Sequence, residues 1–219
     1  MKKLTLVGAI VLALAATASL AFAEATAWKF DPSHSEPTFA IRHWLTTVNG
    51  RFNTMNGTIT FDDKDWSKSS VEATIDANSV FTNNEKRDNH LRSADFFDVA
   101  NNPTITFKST KVTKGTANDF KIEGDFVMHG VSKKVVLDAT YLGTMDVGNG
   151  RAKAGFTAKT TLSRKEYNLL WNRTLDNGTV MLGDDVAVTL NIEADKVVPG
   201  AQTGAAPAAA PATPATGSK

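Results

Sequence analysis

Apolar and polar residues alternate with a period of two along much of this chain, which marks strands with one buried face. Between Thr38 and Leu45, the residues Phe39, Ile41, His43 and Leu45 share a face; between Thr58 and Asp62, Ile59 and Phe61 do. The run Val71–Ala77 sets Val71, Ala73, Ile75 and Ala77 against Glu72, Thr74 and Asp76. Further runs fall at Thr104–Val112 with Ile105 and Phe107, at Phe120–Met128 with Ile122 and Phe126, and at Val135–Tyr141 with Leu137 and Ala139. The last two are Ala154–Leu162, carrying Phe156, and Val186–Ile192, carrying Val188 and Leu190. Asn49-Gly50, Asn56-Gly57, Asn149-Gly150 and Asn177-Gly178 supply the positive φ of tight hairpins and predict turns between strands. About eight strands joined this way make an antiparallel sheet that packs as a sandwich or closes into a barrel. Closure removes exposed edges, so a mainly β, single-barrel fold is expected, with the sandwich second.

The stretch Asp88–Phe107 breaks the alternation. Thr82 and Glu85 have capping-box spacing, and Glu85 to Ala94 holds helix formers without Gly or Pro. One short helix is therefore predicted near residues 84–94, placed to close one end of a barrel. Here His90, Arg92, Asp95 and Asp98 sit beside Leu91, Phe96 and Phe97. Groups suited to a polar head thus adjoin groups suited to an apolar chamber, a mixture that fits an amphiphilic ligand.

The ends change the picture. Lys2 and Lys3, the apolar run Leu4–Leu20 and Ala21-Phe22-Ala23 have the form of a secretory signal peptide, residues 1–23. With no cysteine anywhere, lipoprotein processing, disulfides and thiolate chemistry are excluded. Export without disulfides fits a bacterial periplasm. Residues 199–219, rich in Ala and Pro, hold too little apolar surface to fold and are expected to be disordered. Residues 24–198 remain as one domain. No other segment is long and apolar enough to span a bilayer, so the mature form is expected to lack a stable membrane span. Removing Lys2 and Lys3 takes the formal charge from +1 to −1, which gives no general electrostatic reason to bind nucleic acid.

Catalytic chemistry finds little support. His34, His43, His90 and His129 lack metal-ligand spacing, and no G-x-S-x-G elbow occurs. Gly148-x-Gly150 is read as a hairpin turn rather than a phosphate cradle. The expectation is a non-enzyme that needs no cofactor and binds no metal.

Several ordered motifs resemble one family. Asp31-Pro32-Ser33-His34-Ser35, Phe39-x-Ile41-x-His43 and Gly50-x-Phe52 are similar to the start of YceI-like periplasmic proteins. Asp88-x-His90-Leu91-Arg92-Ser93-x-Asp95-Phe96-Phe97-Asp98 with Pro103-x-Ile105-x-Phe107 resembles their most distinctive segment. Ser163-Arg164-Lys165-x-Tyr167, Trp171-Asn172 and Leu182-Gly183-Asp184 resemble their closing pattern. Asn168 stands where glycine is common, and His129 replaces a frequent Arg. The resemblance implies a lipocalin-like antiparallel barrel that binds polyisoprenoids or other long amphiphiles, acting as carrier, store or sensor. Some relatives are linked to isoprenoid quinones and stress responses.

Strand parity and that resemblance together nominate wall residues: Phe39, Ile41, Phe61, Ile75, Phe107, Phe126 and Leu190. Leu91, Phe96 and Phe97 are candidates for a closed end or lid. His34, His43, Arg87, His90, Arg92 and Arg164 are candidates for the mouth or for internal polar contacts, with Arg92 pairing to Asp95 or Asp98 as the structural alternative. The expected partner is a hydrophobic small molecule, an isoprenoid lipid or quinone, and a homodimer is allowed. The rival readings are a protein-interaction module, a hydrolase or a metal-dependent enzyme. The lipid reading stands only if the barrel is hollow.

Overall fold

The computed structural model describes residues 25–176 and 178–198. The expected leader and the Ala/Pro-rich tail lie outside the described residues. The strands are β1 (Thr26–Phe30), β2 (Glu36–His43), β3 (Thr46–Phe52), β4 (Met55–Phe61), β5 (Ser70–Asp76), β6 (Val80–Phe81), β7 (Thr104–Lys114), β8 (Asp119–Met128), β9 (Val131–Gly148), β10 (Arg151–Ser163) and β11 (Leu182–Lys196). One helix, α1 (Glu85–Arg92), stands between β6 and β7.

These eleven segments make eight staves. β1 and β2 both run antiparallel to β11, pairing Phe30 with Ala194 and Glu36 with Asn191, so residues 31–35 loop out of one continuous stave. β3 and β4 form the second stave, against β2 and β1, and β5 with β6 form the third. β7, β8, β9, β10 and β11 follow in chain order, and β11 returns to β1 and β2. The sheet is closed and antiparallel throughout, as the alternation predicts, and the sandwich is ruled out. Among the described residues, no helix is long and apolar enough to cross a membrane.

Two predicted turns do not exist. Asn49-Gly50 and Asn56-Gly57 lie inside β3 and β4, fully paired: Gly50 opposes Phe39, and Gly57 opposes Ala73. The turn at Asn149-Gly150 does form, with both residues at positive φ. Gly178 also has positive φ, but Asn177 lies outside the described residues. The hairpin from β8 to β9 turns instead through His129 (φ 51°) and Gly130 (φ 72°).

The predicted capping box is absent as well. Asn84 caps α1, its side chain accepting from the Arg87 backbone N–H at 3.0 Å. Thr82 turns inward, where its hydroxyl donates to the buried Asp88 carboxylate at 2.5 Å. The outer face carries cross-strand pairs such as Lys108–Glu72 (2.7 Å) and Lys134–Asp125 (2.8 Å), exposed contacts that add little stability each.

Candidate functional site

The inward faces of the staves enclose a cavity of about 550 Å³, within the range of small-molecule sites. Its wall is aliphatic and aromatic. Phe39, Ile41, Val186, Val188 and Leu190 form one side; Ile105, Phe107, Ile122, Phe126, Leu137 and Phe156 form much of the rest. Parity explains this: strand side chains at i and i+2 share a face, so each alternating run contributes its apolar half to the lumen.

Why is the barrel hollow when it is lined with phenylalanine? Three inward positions are glycine, and each lies under a ring. A Cβ at Gly50 would fall 2.3 Å from Phe39 Cζ, one at Gly57 2.4 Å from Phe30 Cε2, and one at Gly124 2.4 Å from Phe107 Cζ. The missing side chains let these rings lie against the sheet rather than stand into the lumen. The glycines are there because another group approaches the backbone closely.

The end remote from α1 is filled by packed aromatic rings, beside which Ser69 and the exposed Ser70 also line the cavity. The 3₁₀ turn Trp66–Lys68 between β4 and β5 drops Trp66 onto Phe61 (ring centroids 5.6 Å), Phe120 (5.1 Å) and Tyr141 (6.3 Å), and Phe156 meets Phe61 at 5.6 Å. The contacts are mostly edge-to-face, the favoured geometry for aromatic pairs. The Trp66 indole N–H donates to the Asp63 carbonyl at 3.2 Å.

The other end is the mouth, where the exposed lining residues Asn84 and Lys86 sit. α1 and the segment after it lie across it. Phe97 packs on Phe52 (5.5 Å) and Phe96 on Trp171 (5.3 Å). The His90 ring stands edge-on to Phe96 (5.0 Å) and Trp171 (4.9 Å), with Nε2 2.8 Å from Asp95 Oδ2. Asp88, buried within α1, accepts from the Thr82 N–H (2.9 Å) as well as its hydroxyl, and Arg87 donates to Thr82 Oγ1 (2.7 Å) and Thr82 O (2.8 Å). This network fixes α1 to the rim.

The molecule is thus a hollow antiparallel barrel with an apolar lumen and one helix over its mouth. A family model described as the YceI-like domain matches residues 28–194. A UPF0312 protein of Pectobacterium atrosepticum is 40% identical over 175 residues, covering 77% of this chain and 88% of that protein. The chain belongs to the YceI-like family. Among solved structures, the Campylobacter jejuni YCEI protein is similar with a TM-score of 0.61 and 30% identity, over 72% of this chain and 90% of that one. A polyisoprenoid binding domain from Saccharophagus degradans shares the fold with a TM-score of 0.55 at 16% identity, over 80% of this chain and all (100%) of that one.

In this YceI-like barrel, Phe39, Ile41, Phe61, Ile75, Phe107, Phe126 and Leu190 all line the lumen. Leu91, Phe96 and Phe97 line it too, but at the mouth; the ring-filled end belongs to Trp66, which sequence reasoning passed over. Among the polar candidates, His43, Arg87, His90 and Arg164 border the cavity. His34 and Arg92 do not. Arg92 donates to the carbonyls of Asn78 (2.8 Å) and Val80 (2.8 Å) and to Asn89 Oδ1 (3.0 Å), tying α1 to β6. Its expected pairing with Asp95 or Asp98 does not form: Asp95 meets His90, and Asp98 accepts from Asn101. Arg164 is buried and holds the connection from β10 to β11 by donating to the carbonyls of Leu169, Trp171 and Gly183. Burial pushes its guanidinium pKa down, while the Asp184 carboxylate at 3.5 Å pulls the other way. Leu169, Trp171 and Met181, in that same connection, are lining residues that no periodicity marks.

His34 belongs to a cluster on the outer side. Its Nδ1 lies 2.9 Å from Asp31 Oδ2, and the Lys153 ammonium contacts Asp31 (2.8 Å), Glu193 (2.8 Å) and Asp195 (2.9 Å). Lys153 holds the Asp31 carboxyl well below the usual carboxylate range, against an opposing push from burial. Asp31 in turn raises the pKa of His34. Asp31, His34 and Glu193 offer ligand atoms within 4.8 Å of one another. Lys153 bridges the carboxylates of Asp31, Glu193 and Asp195, so the cluster latches the 31–35 loop to β10 and β11.

Proposed function

We propose that this protein is a periplasmic binder that sequesters or carries a long isoprenoid lipid, of polyprenyl or quinone type, without chemical turnover. One observation carries the reading: the lumen runs from Trp66 at the ring-filled end to Trp171 at the mouth, and polar side chains gather where a head group would sit. The energetics agree. Each buried methylene contributes about 0.8 kcal/mol, so ~20 buried carbons contribute on the order of 15 kcal/mol. That meets or exceeds the roughly 4–15 kcal/mol cost of association. The tail therefore supplies affinity, and Lys86, Arg87 and His90 orient an oxygen-rich head. The polyisoprenoid named for the Saccharophagus degradans domain supports the ligand class. The leader-like first 23 residues and the lack of cysteine support the compartment.

Native mass spectrometry of the purified protein, before and after organic extraction, tests the reading. The expected result is a released lipid of defined mass and re-uptake of a prenyl lipid by the extracted protein. A protein that is empty when purified and takes up no prenyl lipid overturns it.

A further inference from the structure

The rim beside the mouth carries large apolar side chains where solvent and backbone both disfavour them. β2 and β3 are joined by a two-residue turn, Trp44-Leu45, between the paired residues His43 and Thr46. Such turns select Gly, Asn or Asp because they need positive φ. Here Trp44 adopts φ 45°, an outlier for a bulky residue, and Leu45 is 101% exposed. The adjoining connection from β10 to β11 is hydrogen-bonded to this turn, the Trp44 N–H donating to the Met181 carbonyl at 2.8 Å. That connection presents Leu170 (61% exposed), Leu175 (39%) and Val180 (40%). None of these side chains lines the lumen. Elsewhere, Val136, Leu142 and Met145 are spread along β9 rather than gathered at one end.

We propose that this rim docks on a lipid surface and that ligand passes between bilayer and lumen through it. Resting on the proposed function, this adds the partner from which the ligand comes. Two observations choose a membrane over another occupant. First, the patch is continuous with the mouth: the connection that bears Leu170, Leu175 and Val180 also supplies Leu169, Trp171 and Met181 to the cavity lining. A lipid tail leaving a bilayer under this rim therefore reaches the lumen without crossing water. Second, the apolar tips are flanked by cations. Arg42, Lys86 and Arg173 have no ion-pair partner among the described residues; the nearby acids are Glu85, Asp176 and Asp185, while Asp184 is already paired to Arg164 and Lys165. An apolar tip with basic flanks matches the interface of an anionic membrane, where Trp settles at head-group depth and each nearby Lys or Arg adds attraction.

The test replaces Trp44→Gly and Leu45→Asn together in the full chain. Gly-Asn satisfies the turn, so thermal stability is expected to hold or rise. Three readouts separate the outcomes: cosedimentation with vesicles with and without anionic lipid, transfer of a fluorescent prenyl lipid from those vesicles, and uptake of the same lipid diluted from ethanol. Expected is binding of the parent to anionic vesicles, with vesicle partitioning and transfer falling roughly tenfold or more in the variant while uptake from solution is unchanged. Equal partitioning of parent and variant, or none by either, overturns docking. A concentration-dependent dimer without vesicles, lost in the variant, also overturns it and assigns the rim to a second copy. Failure of both proteins to take up lipid from ethanol defeats the binding reading instead, and cosedimentation still decides docking.

Discussion

The two ends of this barrel solve opposite problems. At the ring-filled end, Phe61, Trp66, Phe120, Tyr141 and Phe156 interlock by their rings, and the polar indole group is satisfied by a single local carbonyl. At the mouth, aromatic contacts such as Phe96–Trp171 alternate with the Asp88–Thr82–Arg87 network and the His90–Asp95 pair. Apolar rings packed edge to face exclude water, and need little direction. Hydrogen-bonded groups hold a cover in one place while leaving wettable surface at the opening. The lumen is kept open by neither end, but by the glycines under Phe30, Phe39 and Phe107 between them.

The largest effect is expected at the ring-filled end. Trp66→Ala removes a buried indole that touches several rings, and a loss of about 3–5 kcal/mol should appear in urea unfolding. A change below about 1 kcal/mol would show that the ring-filled end is as tolerant as the mouth. An intermediate effect belongs to the middle of the barrel. Gly50→Ala forces the Phe39 ring off the wall, and overpacking of this kind costs roughly 1–3 kcal/mol. It should also lower prenyl-lipid uptake, and adding Phe39→Leu should restore much of both. Additive losses in the double variant would break the link between glycine and ring.

The smallest effect concerns the latch outside the lumen. The Asp31 carboxyl pKa is depressed in the folded state, so its contribution is present above the unfolded value of about 3.9 and is lost as pH falls below that value. The Lys153 pKa is raised, so its contribution is complete below about 10.4 and fades only as pH rises past that value. Asp31→Asn should therefore flatten the acid limb of the stability profile, by about 1 kcal/mol or less, and leave lipid uptake intact. NMR titration should show the His34 pKa moving down toward its ordinary value in that variant. An unchanged His34 pKa would deny the pairing.

Much of the wall could be read directly. A residue such as Phe107 or Leu190 sits in a run whose period of two admits one inward face, and every wall residue picked on that basis lines the cavity. The same reasoning failed at Asn49-Gly50 and Asn56-Gly57. A dipeptide that favours a turn in isolation is also what a strand uses when a neighbouring ring must lie flat, and the ring comes from another strand. It failed again at β1, which has only five residues, and at β3, whose Asn49-Gly50 reads as a turn. The role of Trp66 was hidden because a tryptophan in a turn carries no period at all.

Local chemistry was thus enough to decide that this chain is an antiparallel β protein and which residues of each alternating run share a face, because parity along a strand needs no knowledge of the partner. Only the closed structure decided that the inside is empty, that Arg92 and Arg164 hold backbone rather than ligand, and which end opens. Those properties depend on which side chains from distant staves compete for the same space, and that volume is set by closure rather than by any one segment.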